Sequence, residues 1–156
     1  MRPFTVELAI AVRGYDIDFA GIVSNIVYIR WLEDLRMALL AAYFPFSECV
    51  RLGVTPIILH TSIDYRHAVR MFDPLVGRIW VTAMGKTRWE IAAEFVVDER
   101  VMASAVQRGC FVSLSTGRPT PIPVGLLGPW REWERTGQLP ALWNSTTGDR
   151  PASGQQ

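Results

Sequence analysis

Tyr28, Trp31, Leu32, Leu35, Leu39 and Ala42 recur at three- and four-residue steps, while the other strongly patterned segments of the chain alternate at two. This contrast limits the possible folds sharply. The first spacing predicts one helix over residues 25–43 with a single broad apolar face, stopped by Pro45. On its solvent side Arg30 and Asp34 stand at i,i+4, the spacing of a helical ion pair. The second spacing predicts strands. Before the helix, Val6, Leu8, Ile10 and Val12 alternate with Glu7, Ala9, Ala11 and Arg13. After it, beyond an irregular connection, strands are expected over residues 57–68, 75–84, 89–97 and 101–114. They are separated by Asp73-Pro74, by the hairpin turn Gly85-Lys86-Thr87 and by Asp98-Glu99-Arg100, and closed by the Ser115 to Pro119 segment. A lone helix with so wide an apolar face needs a sheet to lie on. One strand, one long helix and four strands make an α+β layout, an antiparallel five-stranded sheet wrapped around a long central helix. A short helix is expected near residues 130–135. Residues 1–143 form one domain in this reading, and the polar residues 144–156 a disordered tail.

The 156 residues suit one domain, and 49% hydrophobic with 20% charged residues suits a packed core. A net charge of +1, with basic residues scattered along the chain, gives no reason to expect nucleic acid or an anionic membrane as partner. Cys49 and Cys110 lie far apart in no metal-like spacing, which suits a reduced, cytoplasmic protein. The first residues carry no apolar run, so no signal peptide is expected, and no uncharged stretch is long enough to span a bilayer. His60 and His67, seven apart in the second expected strand, fall on opposite faces and do not pair as a metal site. There is no Gly-x-Ser-x-Gly elbow, Walker loop or dinucleotide fingerprint. No cofactor is implied.

The chemistry concentrates between Gly14 and Tyr28. Asp16 and Asp18 stand one residue apart, just before Gly21 and the expected helix start. An ionised Asp at a helix mouth can attack a carbonyl or activate water. The free N–H groups of a helix start can hold an oxygen that gains negative charge. The pairing suits acyl transfer or hydrolysis of an activated carbonyl. The plainer alternative is a solvated turn with a helix cap, since Asp favours both.

Asp16-x-Asp18-x-x-Gly21-Ile22-Val23, then Tyr28, then Arg30-Trp31-Leu32-Glu33-x-x-Arg36, resembles the signature of the 4-hydroxybenzoyl-CoA thioesterase family. Its members are hot-dog-fold acyl-CoA thioesterases, and the likeness covers most of residues 6–123. The resemblance implies that the chain hydrolyses an acyl-CoA, with Asp18 as nucleophile or general base and Asp16 supporting the loop. It implies that Gly21 permits close approach of substrate, and that a backbone N–H near Ser24 and Asn25 polarises the thioester carbonyl. The family often has an aromatic residue or His in this stretch. Asn25 here could add a side-chain donor or cap the helix. By the same resemblance Lys86, Thr87 and Arg88 meet the phosphates or ribose of CoA, with Arg70 a weaker candidate. Asp64 lies near the pocket, and Glu33 and Arg36 hold the helix to its surroundings. Gly85-Lys86 stands where a relative has two arginines, which would loosen the grip on the nucleotide. The family forms homodimers or homotetramers with active sites between subunits. The alternatives are an acyl-carrier-protein thioesterase, a non-catalytic acyl-CoA-binding module and, lowest, a hydratase or dehydratase. The signature serves aromatic, short-chain and fused-ring acyl groups alike, so it leaves the acyl group open.

Overall fold

The computed structural model describes residues 1–140. The tail expected over residues 144–156 lies outside the described residues. In chain order the elements are β1 (Val6–Ile10), a 3-10 turn (Gly14–Asp16), α1 (Val27–Tyr43), α2 (Phe46–Leu52), β2 (Val54–Tyr65), β3 (Leu75–Met84), β4 (Arg88–Val97), β5 (Arg100–Ser113), β6 (Pro119–Thr120) and α3 (Val124–Thr136). The strands lie in the order β1-β3-β4-β5-β2, with β6 added beside β5, and every pairing is antiparallel. This is the expected α+β hot-dog arrangement, one long helix packed against a multi-stranded antiparallel sheet.

The core explains why the helix sits where it does. Val27, Tyr28, Trp31, Leu32 and Leu35 of α1 are buried. They join one apolar cluster with Ile79 and Val81 of β3, Ile91 and Phe95 of β4, and Ala103 and Ala105 of β5. The small alanines of β5 leave room for the large helix side chains, as close packing of an interior demands. Past Leu35 the apolar face lifts from the sheet: Leu39 is half-buried and Ala42 exposed.

Several expectations need correction. The connection after Pro45 is not irregular, because Phe46–Leu52 forms α2, stopped by Gly53 in the left-handed conformation (φ 65°). The second strand runs Val54–Tyr65, not over residues 57–68, and a bulge between Ile58 and His60 shifts its register. His67 therefore lies beyond the strand, against Arg100 at 2.9 Å, and the seven-residue argument about opposite faces does not apply to it. β1 ends at Ile10, short of Val12. The short C-terminal helix is longer than expected and holds Pro129 within it. Arg30 does not pair with Asp34; its guanidinium lies 3.6 Å from Asp16. The turn after β4 is tight, with Asp98 (φ 46°) and Glu99 (φ 63°) both left-handed between paired Val97 and Arg100. That is the backbone a two-residue hairpin needs to match strand twist.

Candidate active site

The loop between β1 and α1 is held by its own backbone. Ile17 and Val23 form an isolated antiparallel bridge, and the Asp18 N–H donates to Ile22 O at 2.9 Å. At its tip the Gly21 N–H donates to Asp18 O at 3.0 Å, and the Ala20 N–H to Asp18 Oδ1 at 2.8 Å. The Asp side chain thus reproduces a turn within the turn. Gly21 takes φ 76°, the left-handed backbone that glycine adopts without cost. Asp18 is half-buried, with one carboxylate oxygen committed to Ala20. Phe19 beside it is fully exposed.

Asp16 does different work. It is 2% exposed, its Oδ2 accepts the Arg13 N–H at 2.8 Å, and its backbone O accepts the Ser24 N–H at 2.9 Å. Arg30 of α1 faces its Oδ1. A buried carboxylate needs such a partner. Asp16 thereby ties the start of the loop to its end and to the helix.

The Val23 N–H donates to Val69 O at 2.9 Å, and the Val27 N–H to Ser24 O at 3.0 Å. α1 begins at Val27 with Ile26 as its N-cap, and no side chain caps it. Asn25 is therefore not the cap. Its own N–H has no acceptor among the described residues. An uncapped helix start adjoining the Asp18 turn concentrates partial positive charge where an oxyanion could sit.

Tyr65, at the end of β2, closes the site from the sheet side. Its hydroxyl donates to Asn25 O at 2.9 Å, and its ring meets Tyr28 edge-on at 5.2 Å. Tyr28 also packs edge-on against Trp31 and Phe95. Burial, aided by nearby Tyr65, pushes the Tyr28 phenol up to about 12, and burial raises that of Tyr65 as well. Both stay neutral at ordinary pH and act as fixed walls of the helix start. The sequence resemblance takes Asp64-Tyr65 as a pair near the pocket but gives a role to Asp64 alone. The period-two rule could have found it, since Tyr65 shares the helix-facing side of β2 with Ile63 and Thr61.

The remaining candidates separate in space. Ser24 and Asn25 lie at the helix start. Arg70 is exposed in the loop after β2, next to the Val69 that bonds the signature loop, with its N–H on Asp73 Oδ2 at 2.7 Å. Asp64 is exposed on the outer side of β2, opposite Ser104 of β5. Lys86, Thr87 and Arg88 form the β3–β4 turn, closed by Gly85 N–H on Arg88 O at 2.8 Å. In its own chain that turn is at the other end of the sheet: Arg88 is level with Cys110 and so with Ile57, whereas Asp18 adjoins the Tyr65 end of β2. Glu33 and Arg36 pair with each other on α1, and Arg36 also donates to buried Gln107 at 2.9 Å.

A sheet wrapped on one helix, with a carboxylate turn at that helix's open start, defines the hot-dog class of thioesterase-like proteins. This chain belongs to the thioesterase-like superfamily, whose sequence profile matches residues 12–130. It is similar to the 1,4-dihydroxy-2-naphthoyl-CoA hydrolase of Synechococcus sp. (strain CC9605), 24% identical over 144 residues that cover 88% of this chain and 96% of that one. It is also similar to a putative esterase of Synechocystis, 26% identical over 94 residues; that match covers 60% of this chain and 57% of the esterase, little more than half its length. Among solved structures, the DHNA-CoA thioesterase of Staphylococcus aureus superposes with a TM-score of 0.73 at 14% identity, covering 89% of this chain and 99% of that one. A 1,4-dihydroxy-2-naphthoyl-CoA thioesterase from Synechocystis gives 0.70 at 19% identity, covering 79% and 93%. Likeness at these identities establishes the fold.

Proposed function

We propose that this chain hydrolyses an acyl-CoA thioester to the free acid and CoA, with Asp18 as the reacting carboxylate and the Asn25 N–H as donor to the carbonyl oxygen. The observation that carries the reading is a half-buried Asp18 beside a helix start that no side chain caps. Family membership and the similarity to CoA-thioester hydrolases support it. Asp18 attacks the carbonyl to form an acyl-enzyme anhydride, or removes a proton from the attacking water; both routes pass through an oxyanion that the helix start stabilises. Collapse of that oxyanion expels the thiol of CoA. Two free, buried cysteines suit the reduced cytoplasmic setting of such substrates. The test is release of CoA from a panel of acyl-CoAs, followed with a thiol reagent.

The reading includes a homodimer. β2 is a twelve-residue strand at the edge of the sheet, and its free edge is a hazard that proteins cover. Pairing of β2 with a second β2 about a two-fold axis covers it, and sets the Asp18 end of one chain beside the β3–β4 end of the other. The exposed Phe19 ring gives the same neighbourhood an apolar surface to bury. Light scattering at micromolar concentration is expected to give twice the chain mass or a higher even multiple, and an active monomer would contradict the dimer.

Lys86 and Arg88 of the partner turn, together with Arg70 beside the signature loop, suit the phosphates of CoA. Replacing Lys86 and Arg88 together by Ala is expected to raise KM for acyl-CoA by about tenfold and to flatten its salt dependence, with kcat nearly unchanged, because such remote contacts act alike in ground and transition states. A pantetheine thioester, which has no nucleotide, is expected to be indifferent. Equal damage to both substrates would assign the pair to the hairpin's own structure.

A further inference from the structure

A cavity of about 420 Å³ lies between the second half of α1, α2 and the first half of β2. Leu40, Phe44, Cys49, Ile58, Ile91 and Phe111 are among its walls. The signature loop does not line it. Met37 of α1 and Phe46 of α2 are the large exposed apolar residues of its wall and mark its mouth.

The polar groups around it are already committed, except the indole N–H of Trp89, which is buried without a partner. Arg36 is shared between Glu33 and Gln107, whose amide in turn donates to Thr61 at 3.0 Å. The Tyr43 hydroxyl donates to Thr5 O at 3.0 Å, and that of Thr55 to Pro56 O at 3.4 Å. Arg36 thus turns its stem, not its charge, to the cavity. A guest meets mostly hydrocarbon. A dihydroxylated ring would leave at least one oxygen without a partner there, a loss on the order of tenfold or more in affinity. Size points the same way. A cavity of about 150 Å³ holds a benzene, so a single ring would fill about a third of this one.

Within one chain the cavity and Asp18 are at opposite ends of β2. From Ile57 to Tyr65 is about 26 Å of strand. The two-fold pairing of β2 edges closes that gap, because antiparallel strands set the start of one β2 against the end of the other. The cavity mouth of one subunit then adjoins the Asp18 loop of its partner.

We infer that the substrate's acyl group is an aliphatic chain on the order of ten carbons or more, housed in the α1–β2 cavity of one subunit while the other subunit's Asp18 acts on its thioester. This rests on the thioesterase reading above and names its substrate class. Each further methylene buried raises kcat/KM by roughly fourfold until the cavity is full.

The experiment has two parts. In the first, the wild-type protein is assayed with acetyl- to dodecanoyl-CoA and with benzoyl-CoA. A steep rise with chain length, ending well above benzoyl-CoA, is expected. A flat profile, or benzoyl-CoA as the best substrate, would overturn the inference. In the second, Asp18→Asn and Leu40→Trp chains are co-expressed with different tags and the mixed dimer is isolated. It contains one intact Asp18 facing one intact cavity, so about half the wild-type decanoyl-CoA rate is expected, far above either parent. No recovery would mean that each Asp18 uses its own chain's cavity, or none. Met37→Trp, at the exposed mouth, replaces Leu40→Trp if circular dichroism shows that variant unfolded. Should wild type release CoA from no thioester, the hydrolysis reading fails by itself. Tryptophan emission, read against Trp89→Phe to isolate the indole that lines the cavity, then decides the chamber: decanoate binding at least tenfold tighter than benzoate supports it, and no binding refutes it.

Discussion

Asp18→Asn is expected to lower kcat by on the order of a hundredfold or more while acyl-CoA still binds. The amide keeps the shape of the side chain and can still accept the Ala20 N–H that shapes the turn. What it loses is the charge that attacks or takes a proton. Asp16→Asn tests the division of labour between the two carboxylates. Asp16 is buried, holds the Arg13 N–H and faces Arg30, so its replacement is expected to lower thermal stability and to affect chemistry only through the shape of the loop. Single-turnover rates, equilibrium binding of a non-hydrolysable acyl-CoA and melting curves on both variants separate the roles. An Asp18→Asn protein with wild-type kcat beside a crippled but fully folded Asp16→Asn would exchange the two assignments.

Gly109→Ala is expected to be the most damaging single methyl addition to the sheet. Gly109 sits in β5 between Ile58 of β2 and Trp89 of β4. A Cβ there would lie 2.1 Å from Ile57 O and 2.3 Å from Trp89 Cζ2. A flexible side chain could turn away, but a backbone carbonyl in a ladder cannot, and the Trp89 ring is itself buried. Overpacking of this kind costs about 3 kcal/mol, a fall in Tm on the order of 10 °C for a chain of this size. Because Trp89 also walls the cavity, a surviving fraction should discriminate less between long and short acyl chains. A melting temperature within about 2 °C of wild type would show that the strands part more easily than their register suggests.

What could be read in the sequence was what repeats. The face of α1 from Tyr28 to Leu35 and the alternation from Trp89 to Val97 each carry a period over several turns or residues, and both held. The turn at Asp98-Glu99 and the hairpin at Gly85 also fell where their residue types placed them. What could not be read was too short to show a period or depended on distant residues. α2 has seven residues, less than periodicity can reveal, although Pro45 before it and Gly53 after it were the marks of its ends. Pro56 disguised the start of β2, since proline in a strand is tolerated only at an edge, and β2 is the edge. Pro129 did the same for α3. Arg30 has a neighbour of the right charge four residues on, yet it faces Asp16, because a buried carboxylate without a cation costs far more than an exposed helical pair gains. In the candidate site the motif placed Asp18, Gly21 and Asn25 together along one short stretch. It could not place Tyr65 over the helix start, nor show that Lys86 and Arg88 stand at the far end of their own sheet. Those facts depend on the strand order.

The most direct measurement is CoA release by the wild-type protein, run beside Asp18→Asn, across aliphatic acyl-CoAs from acetyl to dodecanoyl together with benzoyl- and dihydroxynaphthoyl-CoA. Rapid release from at least one of them, reduced on the order of a hundredfold or more in the variant, is the result predicted. No release from any substrate, or release that Asp18→Asn leaves undiminished, would contradict the assignment of this loop and helix start as a thioester-hydrolysing site.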